Sequence, residues 1–231
     1  MTKSHLKRLI APKTWKIKRK NIAFIIRPKP GSHKMNMSIP LKNLLIDIGK
    51  VTTLREATYI LHNHKVNVDM KKRIDAAFPV GLFDIVTFPE INEAYTIIIN
   101  TLGKLVIKKL KDPKSDTKLV KIIGKRKVNG NKIQIETLCG RNILVEEKEA
   151  KKYKTGDSLM IKLPAQKVVD HKKFEKGSKV YLTKGSHVGM VVTIKEINNT
   201  IIICSSDSQE FEAKKEAAFV IIDEIEKLVK D

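Results

Sequence analysis

The sequence has few of the features that are typical of secreted or membrane proteins. Its 231 residues include two cysteines, Cys139 and Cys204, which have neither CxxC spacing nor a nearby histidine to complete a metal shell. No run approaches the roughly 18–20 uninterrupted apolar residues that span a bilayer, and no apolar block of a secretory type opens the chain. We therefore expect reduced thiols, no metal, no membrane partner and a cytoplasmic location.

The motifs of common enzymes are also missing. The chain contains no GxxxxGK[ST], GxGxxG, GxSxG or HExxH pattern. His62 and His64 are two positions apart and cannot share a helical face for metal binding, although a strand geometry could allow it. The carboxylates are scattered among lysines as in surface ion pairs. We predict no catalytic residue and no cofactor.

Acidic residues are absent from the whole first fifth of the chain. The sequence has 46 Lys and Arg against 25 Asp and Glu, a net charge of +21, and twelve of the positive charges lie between Met1 and Ile46 with no acidic residue among them. Such an asymmetry favours binding to a polyanion. Pro12, Pro28 and Pro30 interrupt this stretch, so we expect an extended arm that buries little of itself and becomes ordered on a partner.

Apolar residues inside the arm argue against a merely solvated tail. Trp15 is the only tryptophan, Leu6, Leu9 and Ile10 have near-helical spacing, and Phe24–Ile26 is a short apolar run. Lysines and arginines neutralise phosphates, while an indole ring can stack on a base or fill a groove. This composition predicts an RNA-anchoring arm.

A small helical module follows the arm. Pro40 and Gly49 bracket apolar residues at helical spacing, and Thr53 with Glu56 forms a capping-box signature for a second helix through residue 62. Two short strands are then expected, around 65–69 and 83–88, with a basic loop between them. Lysines and arginines of the second helix and this loop could form one basic surface, although such clusters are also common in solvated loops; they are Arg55, Lys71, Lys72 and Arg73.

The rest of the chain alternates strands and turns. We predict strands at 94–100, 104–110, 119–123, 132–138, 142–145 and 158–163, typical of a small antiparallel barrel or sandwich. The polar stretch 166–173 is expected to be a linker. Strands at 179–183, 190–197, 200–205 and 217–222 could close a second small barrel, followed by a short helical or frayed terminus at 223–230.

An ordered set of motifs resembles one family, the small-subunit ribosomal protein four of the archaeal and eukaryotic type, in an archaeal-like form. The motifs run through nearly the whole chain: His5 to Trp15, Arg27 to Gly31 with His33, Ser38 to Leu41, Phe78 to Leu82 with Asp84, Gly140 to Ile143, Tyr153 to Asp157, and Asp170-His171 with Phe174. The sequence departs from the family pattern at His64 and Met70, where glycines are usual, and at Met190 and Val192.

The resemblance implies an α+β, multidomain fold. It comprises a basic extended arm at 1–37, a helix-turn RNA-binding module at 38–90, a central antiparallel β domain at 91–165 and a small β-barrel of the KOW type at 166–231. It also implies rRNA contacts in the arm, the module and the KOW loop, and together with the residues above these are Lys3, His5, Lys7, Arg8, Lys13, Trp15, Lys16, Lys18, Arg19, Lys20, Arg55, Lys65, Lys71, Lys72, Arg73, Lys184, Gly185, Ser186 and His187.

The function implied is structural. We expect a constituent of the cytoplasmic small ribosomal subunit that binds 16S-type rRNA and neighbouring ribosomal proteins, without self-association and without catalysis. A non-ribosomal assembly or transcription factor with a KOW domain is the alternative, and an RNA-modifying enzyme is disfavoured because three small domains leave no room for a catalytic core. Whether the KOW loop holds RNA or packs on a neighbouring protein stays open.

Overall fold

The computed structural model describes residues 5–110, 112, 116–206 and 209–222. The chain forms two compact units: Met1–Ile98 with Lys104–Asp116, and Ile99–Gly103 with Thr117–Asp231. Strands dominate both units, and the described α-helices are few and short. This mainly β architecture with several sheets agrees with the predicted fold in its general character, while the expected limits of the four domains stay predictions. Among the described residues, no helix has the length and apolar character needed to cross a membrane.

The arm contains a short hairpin that the sequence did not predict, and few of its described residues are buried, in line with the prediction of a segment that buries little of itself. Strands β1 (Leu6–Lys7) and β2 (Phe24–Ile25) pair antiparallel. Leu6, Ala11 and Trp15 are buried in the first unit. The indole nitrogen of Trp15 donates a hydrogen bond to the carbonyl oxygen of Ser38 over 2.7 Å. A few apolar side chains therefore attach the arm to the first unit.

The module adds two helices and a sheet to the first unit. Its elements are β3 (Ser38–Pro40), α1 (Leu41–Asp47), α2 (Leu54–Asn63), β4 (Asn67–Val68), β5 (Lys71–Lys72), β6 (Pro79–Gly81), β7 (Ile85–Phe88), β8 (Glu93–Ile99) and β9 (Leu105–Lys109). Both predicted helices are confirmed. The Thr53 hydroxyl accepts from the Glu56 amide, and the Glu56 carboxylate accepts from the Thr53 amide, completing the capping box.

The module's sheet has the strand order β5-β4-β7-β8-β9. β8 and β9 had been expected in the central β domain that begins at residue 91, whereas they continue the sheet of the module. The pairing of Ile85 with Thr96 and of Val86 with Tyr95 fixes this register. Period-two alternation predicts a strand but does not tell which sheet the strand joins.

The first sheet of the second unit lies between residues 117 and 172. It contains β10 (Thr117–Val128), β11 (Lys132–Thr137), β12 (Asn142–Glu146), the short α3 (Glu147–Ala150), β13 (Ser158–Lys162) and β14 (Lys167–Lys172). Val120, Ile135 and Leu159 belong to its apolar core. The predicted linker at 166–173 is wrong, because β14 pairs with β13 along the edge of the sheet.

A second sheet of this unit has its own apolar core, which includes Val180, Ile194 and Ile202. Its strands are β15 (Lys179–Leu182), β16 (Val191–Ile197), β17 (Ile201–Ser206), β18 (Gln209–Lys214) and β19 (Ala218–Val220). They are ordered β18-β17-β16-β15-β19. β18 was not predicted, and the terminal segment expected at 223–230 lies outside the described residues.

Candidate nucleic-acid interface

The arm's lysines form its exposed charge. Lys7, Lys13, Lys18 and Lys20 are exposed and have no ion-pair partner among the described residues. Lys16 is also exposed and lies close enough to Asp47 to interact with it electrostatically. Because an ammonium group without a carboxylate neighbour can pair with a phosphate, Lys7, Lys13, Lys18 and Lys20 are suited to binding a polyanion.

The arm's arginines are engaged within the arm itself. The Arg19 guanidinium donates to the carbonyl oxygens of Leu9, Ala11 and Pro12 over 2.9–3.0 Å. The Arg8 guanidinium donates to Ile22 over 3.0 Å and to Lys18 over 3.3 Å. A guanidinium carries five donors in a fixed plane, which suits it to joining several carbonyl groups at once. Arg8 and Arg19 therefore hold the shape of the arm, and the donors that they use for this are not available to phosphates.

Trp15 is a correction to the list of expected base contacts. Its ring is 2% exposed and its N–H is already used by Ser38, so in this structure it cannot stack on a base. His5, by contrast, is exposed, with its ring edge-on to Phe24 at 5.7 Å. Lys3 lies outside the described residues.

The module brings some of its predicted residues to one edge. Lys71 and Lys72 form the exposed edge strand β5, beside Arg73, whose guanidinium lies 4.3 Å from the centre of the Phe78 ring. The half-buried Arg73 has its Nε without a hydrogen-bond partner among the described residues. Arg55 is exposed on α2.

Lys65 stands next to a carboxylate. Glu90 accepts from the Lys65 amide over 3.2 Å and pairs with His64 over 2.7 Å. The hydrogen bond from His64 and that from the Lys65 amide lower the pKa of Glu90, so this carboxyl stays ionised at neutral pH. A phosphate approaching Lys65 would meet that negative charge, which makes Lys65 the weaker of the module's candidates.

The turn between β4 and β5 is formed without glycine. Asp69 and Met70 have φ of 51° and 63°, both in the left-handed region. Positive φ at both central residues is the pattern of a type I′ hairpin turn. The chain thus keeps a tight hairpin here and holds Lys71 and Lys72 at its base.

The predicted KOW loop presents a mixed surface. Lys184, Gly185 and Ser186 are exposed, and Gly185 has φ of 104°. The His187 ring stacks on Phe211 at 3.9 Å and 20°, so it packs within the unit. A cavity of about 200 Å³ beside the loop is lined by two lysines and two glutamates, Lys184, Lys214, Glu212 and Glu216.

A basic ribbon was missed among the candidate site residues. The ends of β10 and β11 project as an exposed hairpin carrying Lys125, Arg126 and Lys127. Arg126 pairs with Glu136 over 3.4 Å, and Lys127 with Glu147 over 3.5 Å. Three consecutive cations in the sequence were the available signal. Within the described part of the chain, no three His, Cys, Asp or Glu side chains gather as a metal site would require.

Small β-rich units, short helices and an acid-free arm with exposed lysines define a polyanion-binding protein of the RNA-binding class. The family description "Ribosomal family S4e" matches residues 91–168, and the "RS4NT (NUC023) domain" matches residues 2–36. The chain belongs to the ribosomal protein S4e family, in its archaeal type, and the resemblance seen in the motifs is confirmed.

Relatives match over most of their length. The small ribosomal subunit protein eS4 of Methanocaldococcus jannaschii is 38% identical over 234 residues, covering 96% of this chain and 95% of the relative. That of Methanosphaera stadtmanae is 40% identical over 200 residues, covering 86% and 81%. The crystal structure of the 30S ribosomal protein S4e from Thermoplasma acidophilum is similar with a TM-score of 0.66 and 29% identity, covering 80% of this chain and 94% of that one.

Proposed function

We propose that this chain is a structural constituent of the small ribosomal subunit that binds and stabilises 16S-type rRNA and supports translation without catalysis. The observation that carries the proposal is the arm: residues 5–46 contain no acidic side chain, and the exposed lysines Lys7, Lys13, Lys18 and Lys20 have no ion-pair partner among the described residues. Membership of the S4e family supports the same function, since its named relatives are small-subunit proteins.

The proposed mechanism divides the work between two kinds of cation. Arm lysines neutralise phosphates as point charges and release counterions from the RNA. Arg8 and Arg19 hold the backbone in the shape that sets the spacing of those lysines. Phosphate contacts of this kind position the protein, while the folded shape of the rRNA supplies specificity.

Three further surfaces complete the proposed interface. Lys71, Lys72 and Arg73 at the edge of the module and Arg55 on α2 extend the basic surface. The sheet formed by β15 to β19 is proposed to be a KOW-type barrel whose loop, Lys184 to His187, contacts RNA with Lys184 and its exposed backbone. The proposed partners are the rRNA and neighbouring small-subunit proteins, in the cytoplasm.

The test is sedimentation of native lysate through a sucrose gradient in low magnesium, followed by a high-salt wash of the small-subunit peak and detection of the chain. Stoichiometric retention is expected. Recovery near the top of the gradient, or loss in the wash, would contradict the proposal and favour a transient assembly or transcription factor.

A further inference from the structure

The arm exposes large apolar side chains among its lysines. Leu9, Ile10, Ile22 and Phe24, here called the arm ridge, have exposed fractions of 70, 71, 67 and 55%. A single exposed apolar side chain is ordinary, but four between residues 9 and 24 are a concentration of exposed apolar area that favours a partner.

The arm's own hydrogen bonds place these four residues on one small scaffold. Phe24 pairs with Lys7 between β2 and β1, and Ile22 gives its carbonyl oxygen to the Arg8 side chain. The carbonyl oxygen of Leu9 accepts from Arg19. These contacts link the backbone on both sides of the arm, and in this structure the four apolar side chains stay exposed.

We propose that the arm ridge is an RNA contact of its own, in which apolar side chains insert against unstacked bases of the rRNA while the neighbouring lysines hold phosphates. This deepens the proposed function and rests on it. Apolar side chains that wedge between or stack on bases are an established form of recognition, and they add affinity that does not depend on charge.

Charge complementarity selects RNA over a protein neighbour. The described arm up to residue 27 carries eight cations and no anion, and its exposed cations are mainly lysines: Lys7, Lys13, Lys16, Lys18 and Lys20. Lysine is depleted in protein–protein interfaces, where its ammonium is costly to dehydrate. The phosphates of an RNA chain neutralise these lysines with release of counterions, and its unstacked bases can contact the apolar side chains between them.

The experiment measures the affinity of the full chain for in-vitro-transcribed small-subunit rRNA over salt concentrations from about 50 to 200 mM. The double variant Leu9→Ser with Ile10→Ser is expected to bind about tenfold more weakly at every salt concentration, with the slope of log K against log salt unchanged. Ile22→Ser is a second, independent variant. Leu102→Ser is the matched control, because Leu102 is 79% exposed but lies in the second unit.

A charge variant calibrates the slope. Lys7→Gln with Lys20→Gln is expected to make the slope shallower by about 0.7–0.9 per lysine. Unchanged urea midpoints of the ridge variants would show that the arm is still folded, which their exposure predicts.

The outcomes separate the two proposals. Ridge variants that bind like the Leu102→Ser control overturn the arm ridge as an RNA contact and leave the ribosomal function standing. Normal rRNA binding by the ridge variants combined with their loss from washed subunits would assign the ridge to a protein neighbour, which also overturns the proposal. A wild-type chain that does not bind the rRNA at all would instead contradict the proposed function.

Discussion

Tyr181 is a fully buried residue of β15 whose hydroxyl has two backbone partners. It accepts from the Ile99 amide over 2.9 Å and donates to the Ile99 carbonyl oxygen. Burial raises the pKa of Tyr181 to about 12, although the hydrogen bond from the Ile99 amide opposes the shift. The hydroxyl thus stays protonated and serves both backbone groups across the physiological range.

Tyr181→Phe removes that hydroxyl and leaves the two Ile99 groups without it. We expect the free energy of unfolding to fall by about 1–3 kcal/mol, because buried polar groups that lose their partner keep their dehydration cost. Urea denaturation of the full chain measures it. The exposed Tyr59→Phe, on α2, is the control and should change little. A Tyr181→Phe variant as stable as wild type would contradict the structural role.

Lys121 is a buried cation surrounded by carbonyl oxygens. Its side chain is 7% exposed in total, and its ammonium donates to Lys215 over 3.1 Å, to Glu216 over 3.0 Å and to Ala218. Lys215 and Glu216 lie in the turn before β19 and Ala218 is the first residue of β19, so one side chain of β10 joins the two sheets of the second unit. Burial lowers the pKa of Lys121 to about 8, which the charges of Lys215 and Lys184 assist and that of Glu216 opposes.

Lys121→Met should lower the free energy of unfolding by about 2–4 kcal/mol at pH 7, because three carbonyl groups lose their donor. Between pH 8 and 10.5 the unfolded chain binds a proton that folded Lys121 has released, so this group makes wild type more stable as pH rises. The gap between wild type and variant should therefore widen over that range. Urea titrations at both ends of it, with exposed Lys151→Met as control, test the sign; a constant or narrowing gap would contradict it.

At the scale of an element, the hairpin between β4 and β5 contains one residue, Met70, whose backbone conformation is strained. Met70 is 37% exposed and has φ of 63°, a conformation that crowds the Cβ of any residue except glycine. The turn forms because the surrounding sheet holds it, since the same hairpin alone would be marginal.

Met70→Gly is expected to raise the free energy of unfolding by about 0.5–1 kcal/mol, because glycine adopts the left-handed region without strain. Thermal melting of the full chain measures it. Lys71→Gly, in the adjoining strand, is the matched control and should lower stability, since glycine there only adds flexibility to the unfolded chain. Equal effects of the two substitutions would show that turn strain at Met70 is not the cause.

Local patterns predicted the elements well where the pattern itself creates the structure. The capping box of Thr53 and Glu56 marked the start of α2, and alternating apolar residues located most strands. β14 and β18 were missed because both lie on sheet edges, where one side is free and charged residues are tolerated, so their composition resembles that of a loop. Membership of a sheet, as for β8 and β9, depends on contacts distant in sequence.

The sequence predicted the positive charge of the candidate site but not which of its side chains are engaged within the protein. The acid-free stretch before Asp47 is visible in the sequence and selects a polyanionic partner. That Arg8 and Arg19 are engaged with carbonyl oxygens, and that Trp15 is buried, follows from the folded arm and has no signature in residue types. Lys7, Lys13, Lys18 and Lys20 are exposed cations with no ion-pair partner among the described residues, in keeping with the acid-free sequence around them.

At the scale of the whole molecule, the net charge of +21 favours RNA binding but lowers the stability of the free protein. Like charges in one folded chain repel each other, and this repulsion is released when RNA phosphates or salt neutralise them. The arm concentrates that cost, because Lys7, Lys13, Lys18 and Lys20 have no ion-pair partner among the described residues to offset it. The free protein should therefore be more stable at high salt, where the Debye length falls to about 3 Å at 1 M.

Replacing Lys7, Lys13, Lys18 and Lys20 together by glutamine should weaken rRNA binding and raise the stability of the free protein. In low salt the urea midpoint of the variant should exceed that of wild type, and the difference should vanish near 1 M salt, where repulsion is screened. For small-subunit rRNA, the slope of log K against log salt should become shallower by about 3.

The control is the same substitution at Lys148, Lys151, Lys152 and Lys154, which lie in a stretch that also carries Glu146, Glu147 and Glu149. It should gain no stability in low salt, because lysines near carboxylates are already compensated. If both sets of substitutions stabilise the free protein equally, the destabilisation comes from the net charge alone and not from the arm in particular. If only the arm set stabilises it, the arm lysines that bind RNA lower the stability of the free protein.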